Sequence, residues 1–322
     1  MNRFHIRNMV WLAAAVLGFL ALYALVQAGI INRFYQITLV TIMINIIYAV
    51  GLNLVLGVAG QFSLGHAGFI AIGAYSAAIF TKAMESNTTG LYVGMAVGVG
   101  LSIILALFVG IPTLRLKGDY LAIATLGVAE IVRVIINNMR DLTNGPAGIS
   151  GIPLVSNWIN VYVFMVITTI FILNFVYSSA GRATMAIQQD EIAAESMGVN
   201  VTMYKVLAFV LGAITASIGG SLQATFLGIV TPGDYTFERS IDVLIIVVFG
   251  GIGSFTGSFV AAILLGLLNV FLQDYGQLRM VIYAIALVLI MIFRPGGLLG
   301  TRELRLGSLV TKALGKDKEA VS

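Results

Sequence analysis

The sequence predicts an all-α polytopic membrane protein, and two observations lead to this fold class. Of the 322 residues, 59% are hydrophobic and only 10% are charged, with a mean hydropathy of +1.00. A soluble domain of this size could not bury so much apolar surface, so lipid must surround most of the chain. The apolar residues also fall into long runs, and a bilayer core needs about 20 such residues per helix.

Ten apolar segments follow one another: Met9–Ile31, Phe34–Val58, His66–Thr81, Leu91–Leu114, Asp119–Ile136, Trp158–Tyr177, Tyr204–Val230, Ile241–Ile252, Phe255–Leu272 and Leu278–Phe293. The third and eighth are short, and the fifth is weakened by Glu130 and Arg133. The first is too long for the apolar part of a signal peptide and is interpreted as a retained span. We therefore expect a transmembrane domain over residues 1–303, with about ten helices, and a cytoplasmic tail over residues 304–322.

The basic residues predict the orientation of this domain. If the N-terminus is cytoplasmic and all ten segments cross, twelve of the 18 Lys and Arg residues fall on the cytoplasmic side and six on the other. This excess follows the positive-inside rule, so both termini are expected in the cytoplasm. The net charge of +4 comes without a dense basic cluster, and nothing in the sequence indicates nucleic-acid binding.

Residues 181–205, GRATMAIQQDEIAAESMGVNVTMYK, are the one long polar interruption between apolar segments, and we call them the polar segment. They predict a short cytoplasmic helix that ends at Gly198, where a left-handed residue is favoured. Small residues between carboxylates suit a helix that docks closely into a groove on a partner. The alternative is an ordinary solvated loop.

The short third and eighth segments hold matching places in two sets of five, which predicts an inverted five-helix repeat. Short or glycine-interrupted segments at matching places in two halves indicate a translocation path. The residues expected to line it are Gln61, Ser63, Gly65, His66, Gly68 and Ser240, with Ser63 and Ser240 near-equivalent. The alternative is that the glycines only allow close helix packing, as in Gly94-xxx-Gly98 and Gly253-xxx-Gly257.

Few polar residues interrupt the apolar segments. Glu130 and Arg133, three positions apart on one helix, can pair, either as a structural pair or as an ion relay. Asn45 and Asn53 are expected to bond to neighbouring helices. His66 is expected to be hydrogen-bonded in its turn, with a proton-transfer role as the alternative. The only other histidine is His5, so no histidine cluster for a metal can form.

No enzyme signature occurs. The sequence contains no G-x-x-x-x-G-K-[ST], no H-E-x-x-H and no G-x-S-x-G, and it has no cysteine. We expect no catalytic residue and no cofactor, and any ATP-driven work must use a partner ATPase. The turn-rich stretch TNGPAGISGIP, residues 143–153, is expected on the outside, either as a docking site for a donor protein or as a connector.

Several blocks of residues resemble the permease subunits of ABC-type branched-chain amino acid importers. The blocks are GQFSLGHAGFIAIGAYSAA, KGDYLAIATLGVAEIVR, TNGPAGISGIP, GRATMAIQQDEIAAESMGVN, VVFGGIGSFTGSFVAA and FRPGGLLG. They occur in the order typical of the family and extend from about Phe34 to Gly300. The resemblance implies a multi-pass protein of the bacterial inner membrane that moves Leu, Ile or Val inward.

The same resemblance implies partners and a coupling site. It implies a heterodimer with a second homologous permease, two cytosolic ATPase subunits and an extracytoplasmic substrate-binding protein. The polar segment resembles a coupling loop held in a cleft of the ATPase. Ala193 and Ala194 would then make close contact, Glu191 a charged contact, and Gly198 the turn.

Two other functions stay open at this point. Related permeases serve urea, amides or other amino acids, and the sequence does not choose among these substrates. An ion-coupled secondary transporter is the alternative from another class. It would need ionisable residues at mid-membrane, and the apolar segments offer almost none.

Overall fold

The computed structural model describes residues 16–29, 32–84, 87–113, 116, 118–272, 281, 285, 288 and 296–300. Contact clustering divides the chain into one compact unit over Thr38–Thr301 and a second unit formed by Met1–Ile37 and Arg302–Ser322. All of the residues discussed below as a site belong to the Thr38–Thr301 unit. The predicted tail, residues 304–322, lies outside the described residues.

The described chain is almost entirely helical, as predicted. Its helices are α1 (Val16–Gln27), α2 (Arg33–Asn53), α3 (His66–Ala83), α4 (Asn87–Thr113), α5 (Asp119–Asn138), α6 (Arg140–Thr143), α7 (Trp158–Tyr177), α8 (Ser179–Gln189), α9 (Glu191–Ser196), α10 (Val201–Leu227), α11 (Phe237–Gly250) and α12 (Phe255–Phe271). Leu54–Val58 continues α2 as a π-helical turn, and Gly145–Ala147 and Pro232–Tyr235 are 3₁₀ turns. Nine of the ten predicted segments lie mostly in described residues, and each forms a helix there. The tenth, Leu278–Phe293, lies almost wholly outside them.

Among the described helices, four are long and apolar enough to cross a membrane: Arg33–Val58, Asn87–Thr113, Trp158–Tyr177 and Val201–Leu227. A fifth span results if α11 and α12 are counted together, although the chain bends by 117° between them. The protein is thus a polytopic all-α membrane protein. The remaining crossings of the predicted ten, and the inverted repeat, stay predictions.

The centre of the compact unit is α3, which packs against α4, α5 and α10. Small residues let these helices approach closely. A Cβ built on Gly94 of α4 would lie 2.7 Å from the Cα of Ala77, and one on Gly98 would lie 3.0 Å from the Cα of Gly73. The close packing predicted for Gly94-xxx-Gly98 is therefore confirmed.

A short antiparallel bridge closes one end of α10. Its two strands are β1 (Ile149–Ser150) and β2 (Ile229–Val230), with Ile149 opposite Val230. Four residues of the turn-rich stretch have positive φ, namely Asn144 at 59°, Gly145 at 58°, Gly148 at 71° and Gly151 at 68°. The predicted turn cluster is thus a fixed structure that holds the loop after α6 against the end of α10.

The polar segment differs from the single short helix that the sequence predicted. It holds most of α8, all of α9 and the first residues of α10. Asp190 is extended, with φ −155°, and its Oδ1 accepts hydrogen bonds from the backbone N–H of Ile192 and Ala193, each at 3.0 Å. This side-chain cap starts a new helix where a continuous one was expected. The predicted stop at Gly198 is confirmed by its φ of 82°.

Candidate functional site

The residues predicted to line a path come together at the start of α3. Gln61, Ser63 and Gly65 lie in the loop before this helix, and His66 and Gly68 lie in its first turn. Ser240 of α11 joins them, because its Oγ accepts a hydrogen bond from the backbone N–H of Ala67 at 2.9 Å. All six predicted residues are buried within this chain.

The two glycines of this group pack against α5. A Cβ built on Gly65 would lie 2.7 Å from the carbonyl oxygen of Thr125, and one on Gly68 would lie 3.0 Å from the Cα of Ala129. The backbone N–H of Leu64 also donates to Thr125 Oγ1 at 3.0 Å. These contacts match the close-packing alternative that the sequence left open. That the backbone here also lines a path stays a prediction.

Gln61 and His66 each keep one buried polar atom without a partner among the described residues. Gln61 Nε2 donates to the carbonyl oxygen of Lys205 at 2.9 Å, whereas its Oε1 has no partner there. His66 is 4% exposed, and its Nε2 has no partner there. That His66 is hydrogen-bonded in its own turn stays a prediction. Since buried polar groups are usually satisfied, each atom marks a place where water or a ligand group can bind.

Two breaks in the helices meet close to this loop. The first is the π-helical turn after α2, and the second is the turn between α11 and α12. A Cβ built on Gly57 of the first break would lie 2.6 Å from the Cα of Gly253 in the second. Asn53 Nδ2 donates to the Ser254 carbonyl oxygen at 2.8 Å and to Ser258 Oγ at 3.0 Å. Asn53 Oδ1 also accepts from the backbone N–H of Gly253, so Asn53 satisfies a backbone group that the second break leaves outside a helix.

The polar segment presents an apolar face to the outside of this chain. Ile192 is 75% exposed and Met197 is 84% exposed, and Ala193 is exposed as well. Ala194 is only 6% exposed, so of the two alanines expected to contact a partner, only Ala193 is free of its own chain's packing. Sequence reasoning missed Ile192 and Met197, although two apolar residues in a polar segment are a usable signal.

Glu191, expected to make a charged contact with a partner ATPase, also has an ion partner within its own chain. Glu191 Oε1 lies 3.0 Å from Lys205 Nζ, and this pair fixes α9 against the start of α10. Both residues line a cavity of about 250 Å³ together with Gln61 and Gln188. We call it the Lys205 cavity. It therefore connects the polar segment with the loop that precedes α3.

A second cavity of about 370 Å³ lies beside the opposite end of α10, and we call it the Arg239 cavity. Its charged residues are Asp234, Arg239 and Asp242, and Gln223 and Tyr235 add polar groups. Leu227 and Ile229 supply an apolar part of the wall. From Lys205 to Gln223, α10 rises by about 27 Å, which places the two cavities far apart along one helix.

Neither Arg239 nor Asp242 is among the residues that the sequence predicted to form a site. Both residues lie in α11, three positions apart, with 4.0 Å between Arg239 Nη1 and Asp242 Oδ2. The same spacing separates Glu130 and Arg133, whose predicted pairing is confirmed at 2.8 Å. An Arg and an Asp at this spacing, next to an apolar run, could have indicated the Arg239 cavity.

Tyr235 lines the Arg239 cavity, and further tyrosines pack around its lining residues. The Tyr48 hydroxyl donates to Gln223 Oε1 at 2.7 Å, and the Tyr48 and His66 rings meet edge to face at 6.4 Å. Tyr75 and Tyr235 meet edge to face at 6.2 Å. Burial raises the pKa of the Tyr235 hydroxyl well above its ordinary value, so this group is neutral. The cavity thus combines charged side chains with one neutral tyrosine hydroxyl.

Comparison with known proteins agrees with this architecture. Residues 34–293 match the family model described as branched-chain amino acid transport system / permease component. The chain is 36% identical to the high-affinity branched-chain amino acid transport system permease protein LivM of Salmonella typhimurium, over 80% of this chain and 68% of the relative. It is 35% identical to LivM of Escherichia coli over the same shares.

A more distant relative is the high-affinity branched-chain amino acid transport system permease protein LivH of Salmonella typhimurium. The identity is 26%, over 79% of this chain and 91% of the relative. No solved structure matches the chain.

The fold is that of a multi-pass membrane protein, because it combines apolar spans with irregular backbone that protein contacts satisfy. The family match covers most of the chain. The chain belongs to the family of branched-chain amino acid transport system permease components.

Proposed function

We propose that this chain is a permease subunit of an ATP-binding-cassette importer that moves branched-chain amino acids inward. The substrate class is supported by the relatives, since LivM and LivH are both named as branched-chain amino acid transport permeases. Their similarity to one chain also supports a heterodimer of two homologous permeases, of which this chain is one. The fuller assembly has two cytosolic ATPase subunits and an extracytoplasmic substrate-binding protein.

The proposal depends mainly on the structure of the polar segment, which contains a separate short helix with an exposed apolar surface. Residue Asp190 separates α9 from α8, so α9 is a short independent helix with its own cap. Its exposed Ile192 and Ala193, with Met197 after it, form an apolar surface that a cleft on an ATPase can cover. Within the chain, Ala194 is buried and Glu191 pairs with Lys205, and Gly198 makes the turn into α10.

Contacts within the chain can transmit a movement of α9 to the membrane domain. The Glu191–Lys205 ion pair joins α9 to α10, and Gln61 Nε2 binds the carbonyl oxygen of the same lysine. An ATPase that holds α9 differently with and without ATP would therefore act on α10 and on the loop before α3 together. Coupling of this kind is a difference in contact free energy between two states.

The orientation in this proposal places the polar segment and both termini in the cytoplasm. It rests on the excess of Lys and Arg residues on that side. The Arg239 cavity then opens toward the outside, where the binding protein delivers the amino acid. The Lys205 cavity opens toward the cytoplasm.

Cysteine cross-linking tests the coupling and the orientation together, because the chain has no cysteine of its own. The variant Ala193→Cys is co-expressed with the paired permease and the ATPases, each ATPase carrying one cysteine in its cleft. We expect a disulfide whose yield changes on addition of ATP. The control Leu154→Cys, 70% exposed near the opposite end, should form no such disulfide and should react with an impermeant thiol reagent from outside.

The outcomes separate the candidate functions. Labelling of Ala193→Cys only from outside would invert the orientation and overturn the importer proposal. A cytoplasmic thiol in the Ala193→Cys variant that never cross-links, with uptake driven by an ion gradient without the ATPases, would favour the secondary transporter. Competition of unlabelled leucine, isoleucine, valine, urea and acetamide against radiolabelled leucine uptake then defines the substrate class.

A further inference from the structure

The Arg239 cavity has the size and the mixed lining of a small-molecule site. Its volume of about 370 Å³ falls within the range of about 300–1,000 Å³ seen for ligand pockets. Leu227 and Ile229, 50% and 46% exposed, offer apolar contact on one wall. Arg239, Asp234 and Asp242 offer both signs of charge on the other.

Asn45 and Tyr48 hold Arg239 in place. Its Nη2 donates to Asn45 Oδ1 at 3.2 Å, and its guanidinium carbon lies 5.3 Å from the centre of the Tyr48 ring. The 4.0 Å distance to Asp242 is too long for a hydrogen bond. A guanidinium has five N–H donors, and within the described residues its hydrogen bonds leave room for a two-point contact with a carboxylate.

The two carboxylates are open to the cavity. Asp242 has a side chain that is 60% exposed, on a helix that is otherwise apolar toward its far end. Ionised groups in membrane segments are costly against lipid and therefore face water-filled cavities. Asp234 is held by Thr231, whose backbone N–H and Oγ1 donate to Asp234 Oδ2 at 3.1 and 2.7 Å. The cavity thus presents negative charge at two defined points beside one positive charge.

This pattern of charge is the complement of a free α-amino acid. We propose that the Arg239 cavity binds the transported amino acid as a zwitterion: Arg239 binds the α-carboxylate, Asp242 binds the α-ammonium with Asp234 nearby, and Leu227 and Ile229 contact the side chain. The inference rests on the proposed import function and adds to it the residues that hold the substrate. It also explains why an ionisable pair is present in α11, since a solute without charges would gain nothing from it.

The same arrangement predicts which solutes the site refuses. A carboxylic acid without an amino group leaves Asp242 unpaired, and an amine without a carboxylate leaves Arg239 unpaired. An uncompensated charge at a partly buried site is more costly than a missing apolar contact. The branched side chain therefore sets a weaker preference here than the two backbone charges do.

Substrate protection of a single cysteine tests this directly. The assembled importer, with its paired permease and ATPases, is placed in nanodiscs so that both faces are accessible. The variant Leu227→Cys is reacted with a thiol reagent with and without leucine, 4-methylpentanoate or 3-methylbutylamine. We expect leucine to slow the reaction at least fivefold and the two singly charged analogues to slow it less than twofold. Leu154→Cys, outside the cavity, should react at the same rate in all four conditions.

Second-site variants identify the charged residues. In the Leu227→Cys background, Arg239→Gln and Asp242→Asn should each abolish protection by leucine, and Arg239→Lys should keep part of it. Arg133→Gln is the matched control, because Arg133 is likewise paired three positions away on a helix and lies outside this cavity. It should leave protection unchanged. Co-purification of the ATPases with every variant excludes loss of assembly as the cause.

The outcomes are distinguishable from failure of the proposed function. Leucine uptake by the importer without any protection of Leu227→Cys would overturn the zwitterion site and leave the importer intact. Equal protection by leucine and either singly charged analogue would also overturn it. Absence of ATP-dependent uptake of every branched-chain amino acid would overturn the proposed function. Protection of Leu227→Cys by glycine and alanine would then test the zwitterion site separately from that function, and absence of such protection would overturn the site as well.

Discussion

The side chain of Asn53 at the end of α2 accepts a hydrogen bond through Oδ1 from the backbone N–H of Gly253, at 2.8 Å. The two residues are 200 positions apart in the chain. Gly253 has a φ of 86°, which L side chains rarely adopt, and it sits between two helices that bend by 117°. The Asn53 side chain therefore provides a hydrogen-bond acceptor for a backbone N–H at the sharp bend between α11 and α12.

Replacement of Asn53 by alanine should destabilise the permease strongly. The substitution removes the hydrogen-bond partner of the Gly253 N–H, together with one bond each to the Ser254 carbonyl and Ser258 Oγ, which stay bonded to each other. Each buried polar group left unpaired costs about 1–3 kcal/mol. We expect a clear fall in the melting temperature of the purified complex. Asn138→Ala, which removes only a bond to the Val134 carbonyl in the same helix, should change it little. Equal melting temperatures for the two variants would contradict the role of Asn53.

Charged substitutions on the exposed face of the polar segment should uncouple transport from ATP hydrolysis. Ile192→Asp and Met197→Asp place a carboxylate where an apolar contact is proposed, and both side chains are mostly exposed in this chain. The fold should therefore be kept while co-purification with the ATPases falls. We expect at least a tenfold loss of ATP-driven uptake. Leu154→Asp, far from the polar segment, should retain full co-purification with the ATPases. If this control variant also lost the ATPases, the effect of the polar-segment variants would not be specific.

The substitution Gly198→Ala should lower the stability of the protein, although the space around Gly198 is open. A Cβ at this position would meet nothing within 4 Å, but φ is 82°. The cost is therefore that of the left-handed backbone, about 1–2 kcal/mol. Gly127 in α5 also has open space around it, but it is helical, so alanine there should stabilise by about 0.4–1 kcal/mol. Thermal unfolding of the two variants should shift in opposite directions.

The packing of Gly68 against Ala129 can be separated from a role in the path by exchanging the two residues. Gly68→Ala alone brings a Cβ to 3.0 Å from the Cα of Ala129, so we expect reduced stability and reduced uptake. The double variant Gly68→Ala, Ala129→Gly removes the opposing methyl group and should restore part of both. If the double variant regains stability without regaining uptake, the backbone of Gly68 has a role in transport beyond packing.

Much of the architecture could be predicted from the sequence because it depends on local properties. Apolar runs of sufficient length form helices in lipid, since the backbone polar groups must be satisfied within each segment. The turn at Gly198 and the pairing of Glu130 with Arg133 were also predictable, because each involves neighbours within four positions. The second helix of the polar segment was missed, since the capping strength of Asp190 was not weighed against helix propensity.

The sequence by itself determined the membrane class, the helical segments, the polar segment and the family. Only the tertiary structure decided which residues meet: Asn53 with Gly253, Ser240 with the start of α3, and Arg239 with Asn45 and Tyr48. It also decided that Ala194 faces its own chain while Ile192 and Met197 face outward. The reason is physical: hydropathy and capping act over a few residues, whereas these contacts join segments more than 170 positions apart through packing that no local pattern encodes.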